Sequence, residues 1–197
     1  MSDLSERLAG LSPAQRKLLE QRLAQQQGDE QSNRPEPIAI VGLACRFPAA
    51  PNLAAFWQLI HHGLDGVVDI PASRWNLEEF YDPTGEQPGK ISVRQAALLN
   101  DIEEFDPQFF GITPREAVQI DPQQRILLEV AWEALENAGM PADQIVKSNT
   151  GVFVGIATND YSKVLVPYLH YYEQINPHSG TGNALSVASN RLSYILD

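Results

Sequence analysis

Two spacings of apolar residues alternate along the chain. Ile38-Ala39-Ile40-Val41-Gly42-Leu43 and Gly151-Val152-Phe153-Val154-Gly155-Ile156-Ala157 are short, continuous apolar runs. Such runs predict strands buried on both faces, as in a sheet covered by helices. Gly151 and Gly155 flank the second run and predict that another backbone comes close there. Ile91 to Leu99 reads as a further strand. Residues 66–90, rich in Gly, Pro and Asp, read as irregular.

Helical spacing is strongest over 113–139. Thr113-Pro114-Arg115-Glu116 combines an N-cap, a proline at the first helical position and an acid placed to close a capping box. Asp121-Pro122-Gln123-Gln124 repeats that grammar, so a second helix starts where the first breaks. Leu127, Val130, Ala131, Ala134, Leu135 and Ala138 follow as one buried stripe. Gly139 predicts a left-handed residue after the helix, and Pro141 prevents its continuation. Phe56 to Ile60 begins a shorter helix that ends near Gly63. Leu185, Ala188, Leu192 and Ile195 make a last stripe over 182–196. Asp197 then adds a carboxylate to the negative pole of that helix, where a cation or glycine is favoured. The expectation is a chain cut from a longer protein.

The start of the chain reads as a separate helical piece, residues 1–27, followed by a flexible linker over 28–36 and a folded domain over 37–197. Leu4, Leu8 and Leu11 repeat at helical spacing. Ser12-Pro13 with Gln15 forms a second helix start, and Leu18, Leu19 and Leu23 make a narrow stripe opposite Arg16, Lys17, Glu20 and Arg22. A helix this short is marginal alone in water. It is either a solvated leader or a docking element that meets another polypeptide. The linker lies in the polar stretch Gly28 to Pro37, which holds two prolines. There are no internal repeats.

Composition narrows the function classes. Acidic residues outnumber basic ones, 25 to 14, for a net charge of -11 over 197 residues. Such a surface repels nucleic acid and anionic membranes, so neither is an expected partner. Cys45 is the only cysteine, which rules out an intramolecular disulfide and suits a reducing cytoplasm. The first ten residues hold no apolar core of a secretory signal, and no run approaches the roughly 20 apolar residues of a membrane span.

Candidate chemistry is thin. Cys45 adjoins Arg46, but neighbouring side chains on an extended backbone diverge, so the thiol reads as a small hydrophobe at a strand end. His61 and His62 point apart and lack the four-residue spacing of a helical metal pair. His170 and His178 stand alone. Asp101, Glu103, Glu104 and Asp106 read as a solvated acidic loop, and Asp121 as an N-cap. No phosphate loop, dinucleotide fingerprint or nucleophile elbow occurs. These patterns alone reach an α/β domain with a helical leader, and no reaction.

Longer phrases carry more. Ile38 to Pro48 resembles the opening strand of ketosynthase domains in modular type I polyketide synthases. Phe105-Asp106-Pro107-Gln108-Phe109-Phe110-Gly111-Ile112 with Pro114-Arg115-Glu116-Ala117 resembles that family's next signature. Asp121 to Glu129, running on through Trp132 to Gly139, is the most specific. Gly151 to Gly155, Thr181-Gly182-Asn183-Ala184 and Ser189-Asn190-Arg191-Leu192-Ser193-Tyr194 continue in the family's order. Gln119-Ile120 stands where a methionine is common, and Ser92-Val93-Arg94-Gln95 is less typical than its surroundings.

The resemblance implies a thiolase-like layered α/β fold, of which this chain is the N-terminal portion. It implies decarboxylative Claisen condensation of an acyl thioester, held on a cysteine, with a malonyl-type unit on an acyl carrier protein. No cofactor is bound directly; the carrier's phosphopantetheine bears the substrates. The full-length family forms homodimers, and residues 1–27 resemble segments that meet an upstream synthase subunit. The family's nucleophilic cysteine follows the Arg-Leu-Ser-Tyr phrase in an Ala-Cys-Ser-Ser motif, and its histidines come later. Cys45 matches a position other than the nucleophile. No catalytic, cofactor-binding or metal residue carries over, and the chain alone is expected to be inactive and prone to aggregate. The alternatives are a non-catalytic dimerisation or docking module, a split enzyme completed by a second polypeptide, or the ketosynthase of a type I fatty-acid synthase.

Overall fold

The computed structural model describes residues 12–18, 21–22, 37–165 and 176–196. The chain divides into two compact units, Met1–Ile40 and Val41–Asp197. In the first unit, residues 13–18 are helical. The expected capping box is formed: Ser12 Oγ accepts from the Gln15 N–H at 3.3 Å, and Gln15 Oε1 accepts from the Ser12 N–H at 2.9 Å. Residues 12–18 and 21–22 are exposed, Leu18 included. Leu4, Leu8, Leu11, Leu19 and Leu23 lie outside the described residues.

The second unit is mainly helical. Helix α1, Leu53–His62, starts where Asn52 Oδ1 accepts from the Ala55 N–H at 2.9 Å. It ends at Gly63, whose φ of 62° lets the Leu64 N–H reach back to the Leu59 carbonyl. Strand β1, Val68–Asp69, pairs antiparallel with β2, Gln95–Ala96. Helix α2, Leu77–Phe80, lies between them in sequence. Helices α3, Pro114–Ala117, and α4, Pro122–Asn137, follow, each opened by its proline. Gly139 at φ 65° closes α4, with the Met140 N–H bonded to the Leu135 carbonyl. A 3₁₀ turn, Ala142–Gln144, and helices α5, Tyr161–Leu165, α6, Pro177–Thr181, and α7, Val187–Leu196, complete the described elements.

The core joins α3, α4 and α7. Ile112, Ala117, Ile120, Leu128 and Leu192 are buried together, with Phe105, Phe110, Leu127, Ala131, Val152, Val154 and Ile195 packed around them. The stripe expected on α4 divides into separate uses. Leu128 and Gln124 are its buried residues. Leu127 and Ala131 flank the core. Ala134 and Ala138 face Gly42, where an added Cβ would come within 2.3 Å of the Ala134 carbonyl.

The strand expectations need correction. Residues 37–46 and 151–157 are not strands: among the described residues none of their backbone groups bonds to another backbone. Continuous apolar composition signals that a segment favours cover, but a strand exists only where a neighbour supplies the ladder. Ile38 and Ile40 of the first unit are 93% and 78% exposed. Over 151–157 burial alternates with a period of two: Val152, Val154 and Ile156 are half-buried, and Gly151, Phe153, Gly155 and Ala157 are exposed. One face of this segment is covered and the other bare. Among the described residues, the three atoms nearest a Cβ built on Gly151 all belong to the Phe153 ring, and a Cβ on Gly155 meets nothing within 4 Å. The strand expected over 91–99 shrinks to β2, and 66–90 contains β1 and α2. The two-stranded ribbon is the sheet present among the described residues, not a central layer. The last helix starts at Val187 rather than 182, because Gly182 and Ala184 form a turn whose carbonyls bond to a side chain of α4. Among the described residues no helix is long and apolar enough to cross a membrane.

Candidate functional site

A polar junction links the starts of α3 and α4 to the turn before α7. Asp121, buried, caps α4 by accepting from the Gln123 N–H at 2.9 Å, while its own N–H donates to the Gly182 carbonyl at 2.9 Å. By its spacing Gln124 should close a capping box. It turns instead into the junction, 2% exposed, and donates from Nε2 to the carbonyls of Gly182 and Ala184, each at 3.2 Å. Its Oε1 accepts from Arg191 Nε at 3.3 Å. Arg191 NH1 also donates to Glu116 Oε1 at 2.7 Å, and NH2 to the Thr181 carbonyl at 3.4 Å. Glu116 therefore leaves its own box half made: Thr113 Oγ1 accepts from the Glu116 N–H at 3.2 Å, and the carboxylate turns to Arg191 and to His178 Nδ1, 3.7 Å away.

Close packing locks the same place. A Cβ on Gly182 would lie 2.3 Å from the Gln119 carbonyl, so this position requires glycine for space. Asn183 Nδ2 donates to the carbonyls of Gln119 and Ser179 at 3.1 and 3.0 Å. Its Oδ1 is buried without a donor among the described residues. Ser179 Oγ donates to Gln119 Oε1 at 2.8 Å, and the Asn176 cap opens α6. Sequence spacing misses helix α6 because its start hides in a polar, proline-containing stretch. The roles of Gln124 and Arg191 have no local signal, since the partners of Gln124 lie 58 to 67 residues away and Arg191 reaches Gln124 and Glu116 across 67 and 75 residues.

A second contact ties residues 41–46 to the other end of α4. Arg46 forms a two-pronged pair with Glu133, NH1 to Oε2 at 2.6 Å and NH2 to Oε1, and NH1 also reaches the Pro51 carbonyl at 3.0 Å. The Glu133 carboxylate holds the guanidinium all the more firmly charged, against the opposing effect of burial. Burial pushes the neighbouring Glu129 carboxyl up from its ordinary value; Arg46 pulls it back and Glu133 adds to the rise. Leu43 N–H donates to Asn137 Oδ1 at 3.0 Å. Separately, Asp82 folds its own loop: its carboxylate accepts from the Thr84 hydroxyl at 2.8 Å and from the N–H groups of Thr84, Glu86 and Gln87, each at 3.1 Å. These bonds, the Thr84 hydroxyl first, hold it below the usual carboxylate range.

None of these arrangements couples a nucleophile to a base. Cys45 is half-buried beside Arg46, whose guanidinium faces Glu133 rather than the thiol. His61 stacks on Trp57 with ring centroids 5.5 Å apart, and His62 Nδ1 is 3.0 Å from the Gln58 carbonyl; both are exposed. His170 lies outside the described residues. In the acidic loop, Asp106 accepts from the Phe109 N–H at 3.1 Å, and Asp101, Glu103 and Glu104 are exposed. Among the described residues no three acids, histidines or cysteines group to hold a metal. What the junction does is mechanical: it fixes α7 against α4 to within hydrogen-bond tolerance.

Residues 35–197 match the family described as β-ketoacyl synthase, N-terminal domain. The chain is 41% identical, over all 197 residues, to one of the phenolphthiocerol/phthiocerol polyketide synthase subunits of Mycobacterium bovis, of which it spans 11%. It is 46% identical over 168 residues to the spectinabilin polyketide synthase system protein NorC of Streptomyces orinoci, covering 81% of this chain and 7% of that protein. Among solved structures, the oxazolomycin ketosynthase domain OzmH KS7 of Streptomyces albus superposes with a TM-score of 0.74 at 38% identity, over 82% of this chain and 28% of that one. The ketosynthase of module 6 of the bacillaene synthase from Bacillus subtilis gives a TM-score of 0.66 at 35% identity, over 80% and 24%. The chain belongs to the β-ketoacyl synthase family, and carries the N-terminal portion of a thiolase-like ketosynthase domain of the polyketide-synthase kind.

Proposed function

We propose that this chain is a scaffold portion of a ketosynthase that performs decarboxylative Claisen condensation. In that reaction a malonyl-type thioester on an acyl carrier protein loses carbon dioxide. The resulting carbanion attacks an acyl thioester on the enzyme's cysteine; the new C–C bond forms as the C–S bond to the enzyme breaks. Acyl carrier protein, with its phosphopantetheine-borne acyl and malonyl-type units, is the partner, and the working enzyme is a cytoplasmic homodimer. Residues 1–27 serve as a docking or linker segment toward an upstream synthase protein, 28–36 as a tether, and 37–197 as the partial catalytic domain.

The observation that carries this reading is the family match over 35–197 joined to coverage of only 28% of a ketosynthase neighbour. That none of the side-chain groupings in the described residues pairs a nucleophile with a base supports the reading that the chain alone is inactive. The test is a condensation assay with acyl and malonyl carrier proteins. The 197-residue chain forms no β-ketoacyl product. The same chain fused in frame to the remainder of a related ketosynthase does. Product from the chain alone, or none from a folded fusion, overturns the proposal.

A further inference from the structure

We propose that the pocket at the C-terminal end of α4 is a binding site for an arginine side chain of a partner polypeptide, presented between apolar neighbours. The site stands apart from the condensation reaction and does not rest on it.

The pocket, of about 490 Å³, is walled by Trp132, Leu135, Met140, Pro141 and Ala142, with Glu136 as the charged member of its lining. That volume lies in the range of clefts that take small ligands. Two partners hold the indole in place. Phe109 meets it edge to face with centroids 4.9 Å apart, and Trp132 Nε1–H donates to Glu136 Oε1 at 2.9 Å. That bond also ties the carboxylate to the ring, one helical turn away. Glu136 is exposed, and its Oε2 has no hydrogen-bond or ion-pair partner among the described residues. Phe109 is 56% exposed, so the aromatic pair reaches solvent.

The occupant follows from charge and shape. A fixed aromatic ring attracts a flat, weakly hydrated guanidinium. A carboxylate with one oxygen unengaged is a charge-assisted acceptor for it. The last turn of α4, a 16-residue helix, is the negative pole of the helix dipole, and no basic residue stands there to offset it. Asp143, exposed and next to Ala142 in the following turn, adds a further negative charge. The apolar walls suit the methylene stem of an arginine, which a bare metal ion lacks. A net charge of -11 draws a basic partner to the surface at large, and this pocket gives one of its side chains a defined seat.

The experiment titrates the full 197-residue chain with three probes and follows the indole N–H resonances by NMR. The probes are an acetylated Ser-Leu-Arg-Leu-Ser amide, the same peptide with norleucine in place of arginine, and n-butylguanidinium alone. The arginine peptide shifts the Trp132 resonance, leaves those of Trp57 and Trp75 in place, and binds at least about tenfold more tightly than either control. Glu136→Gln, which keeps an acceptor for the indole, weakens that peptide about threefold to fivefold. Glu103→Gln, an exposed acid outside the pocket, leaves its affinity unchanged. The chain fused to the remainder of a related ketosynthase gives the same pattern, since the site belongs to the outer surface. No shift at Trp132, equal binding of the norleucine peptide, indifference to Glu136→Gln, or loss of binding in the folded fusion overturns the proposal. Butylguanidinium binding as tightly as the peptide also overturns it, and assigns the pocket to a free organic cation.

Discussion

The two ends of helix α4 differ sharply. At its N-terminal end, the Gln124 amide, the Asp121 and Glu116 carboxylates and the Arg191 guanidinium all find partners, and buried Ile120 closes the packing. Toward its C-terminal end one side is held, Glu133 by Arg46 and Asn137 by the Leu43 N–H, while on another side Ala134 and Leu135 line an open groove and Phe153 stands in solvent. What differs is whether the complementary groups occur among the described residues. A satisfied polar network fixes one arrangement, because each member left unpaired would cost its full desolvation. An apolar groove fixes nothing until it is filled.

The contrast can be broken by measurement. Hydrogen exchange gives the largest effect: interior α4 amides should exchange at least about a hundredfold more slowly than those of 151–157, where no backbone acceptor is present among the described residues. Equal rates would mean the junction does not hold. Arg191→Met removes the cation from Glu116 and should cost about 3 kcal/mol in urea denaturation, with part regained on adding Glu116→Gln. A loss well under about 1 kcal/mol would reduce the junction to a surface pair. Gly182→Ala drives a methyl into the Gln119 carbonyl and should cost about 2 kcal/mol, read as a lower denaturation midpoint. The smallest effect is at Glu129. Its raised carboxyl means the folded state holds the proton more tightly than the unfolded chain. That stability is present below the ordinary glutamate range and lost as pH rises through the raised value. Glu129→Gln should therefore stabilise by about a few tenths of a kcal/mol at neutral pH, discounted for its partial exposure, and the gain should vanish in acid. A loss at neutral pH would show that attraction to Arg46 outweighs burial.

Legibility in the sequence follows the same divide. The caps at Ser12, Thr113 and Asp121 and the stop at Gly139 are readable because donor and acceptor lie within a few residues. The helix from Leu53 and the stripe of Ala188 and Leu192 are readable from spacing. The identity of the family is readable from ordered phrases, although no side-chain grouping reveals a reaction. The buried strands do not form. Ile38–Leu43 and Gly151–Ala157 have the composition of strands, but pairing is a property of two segments, and neither finds its partner among the described residues. Gln124 and Arg191 escape for a related reason. A glutamine at the third position of a capped helix normally serves the cap, and only the distant turn at Gly182 diverts it.

The span of the junction also sets a clock. Arg191 is made 67 residues after Gln124. At about 5–20 residues per second, helix α4 waits roughly 3–13 s on the ribosome before the cation that completes its N-terminal end exists. During that interval Glu116 and Gln124 stay hydrated and the underside of α4 is uncovered. Synthesis therefore imposes an order on assembly: the helix first, the turn at Gly182 next, and the lock last.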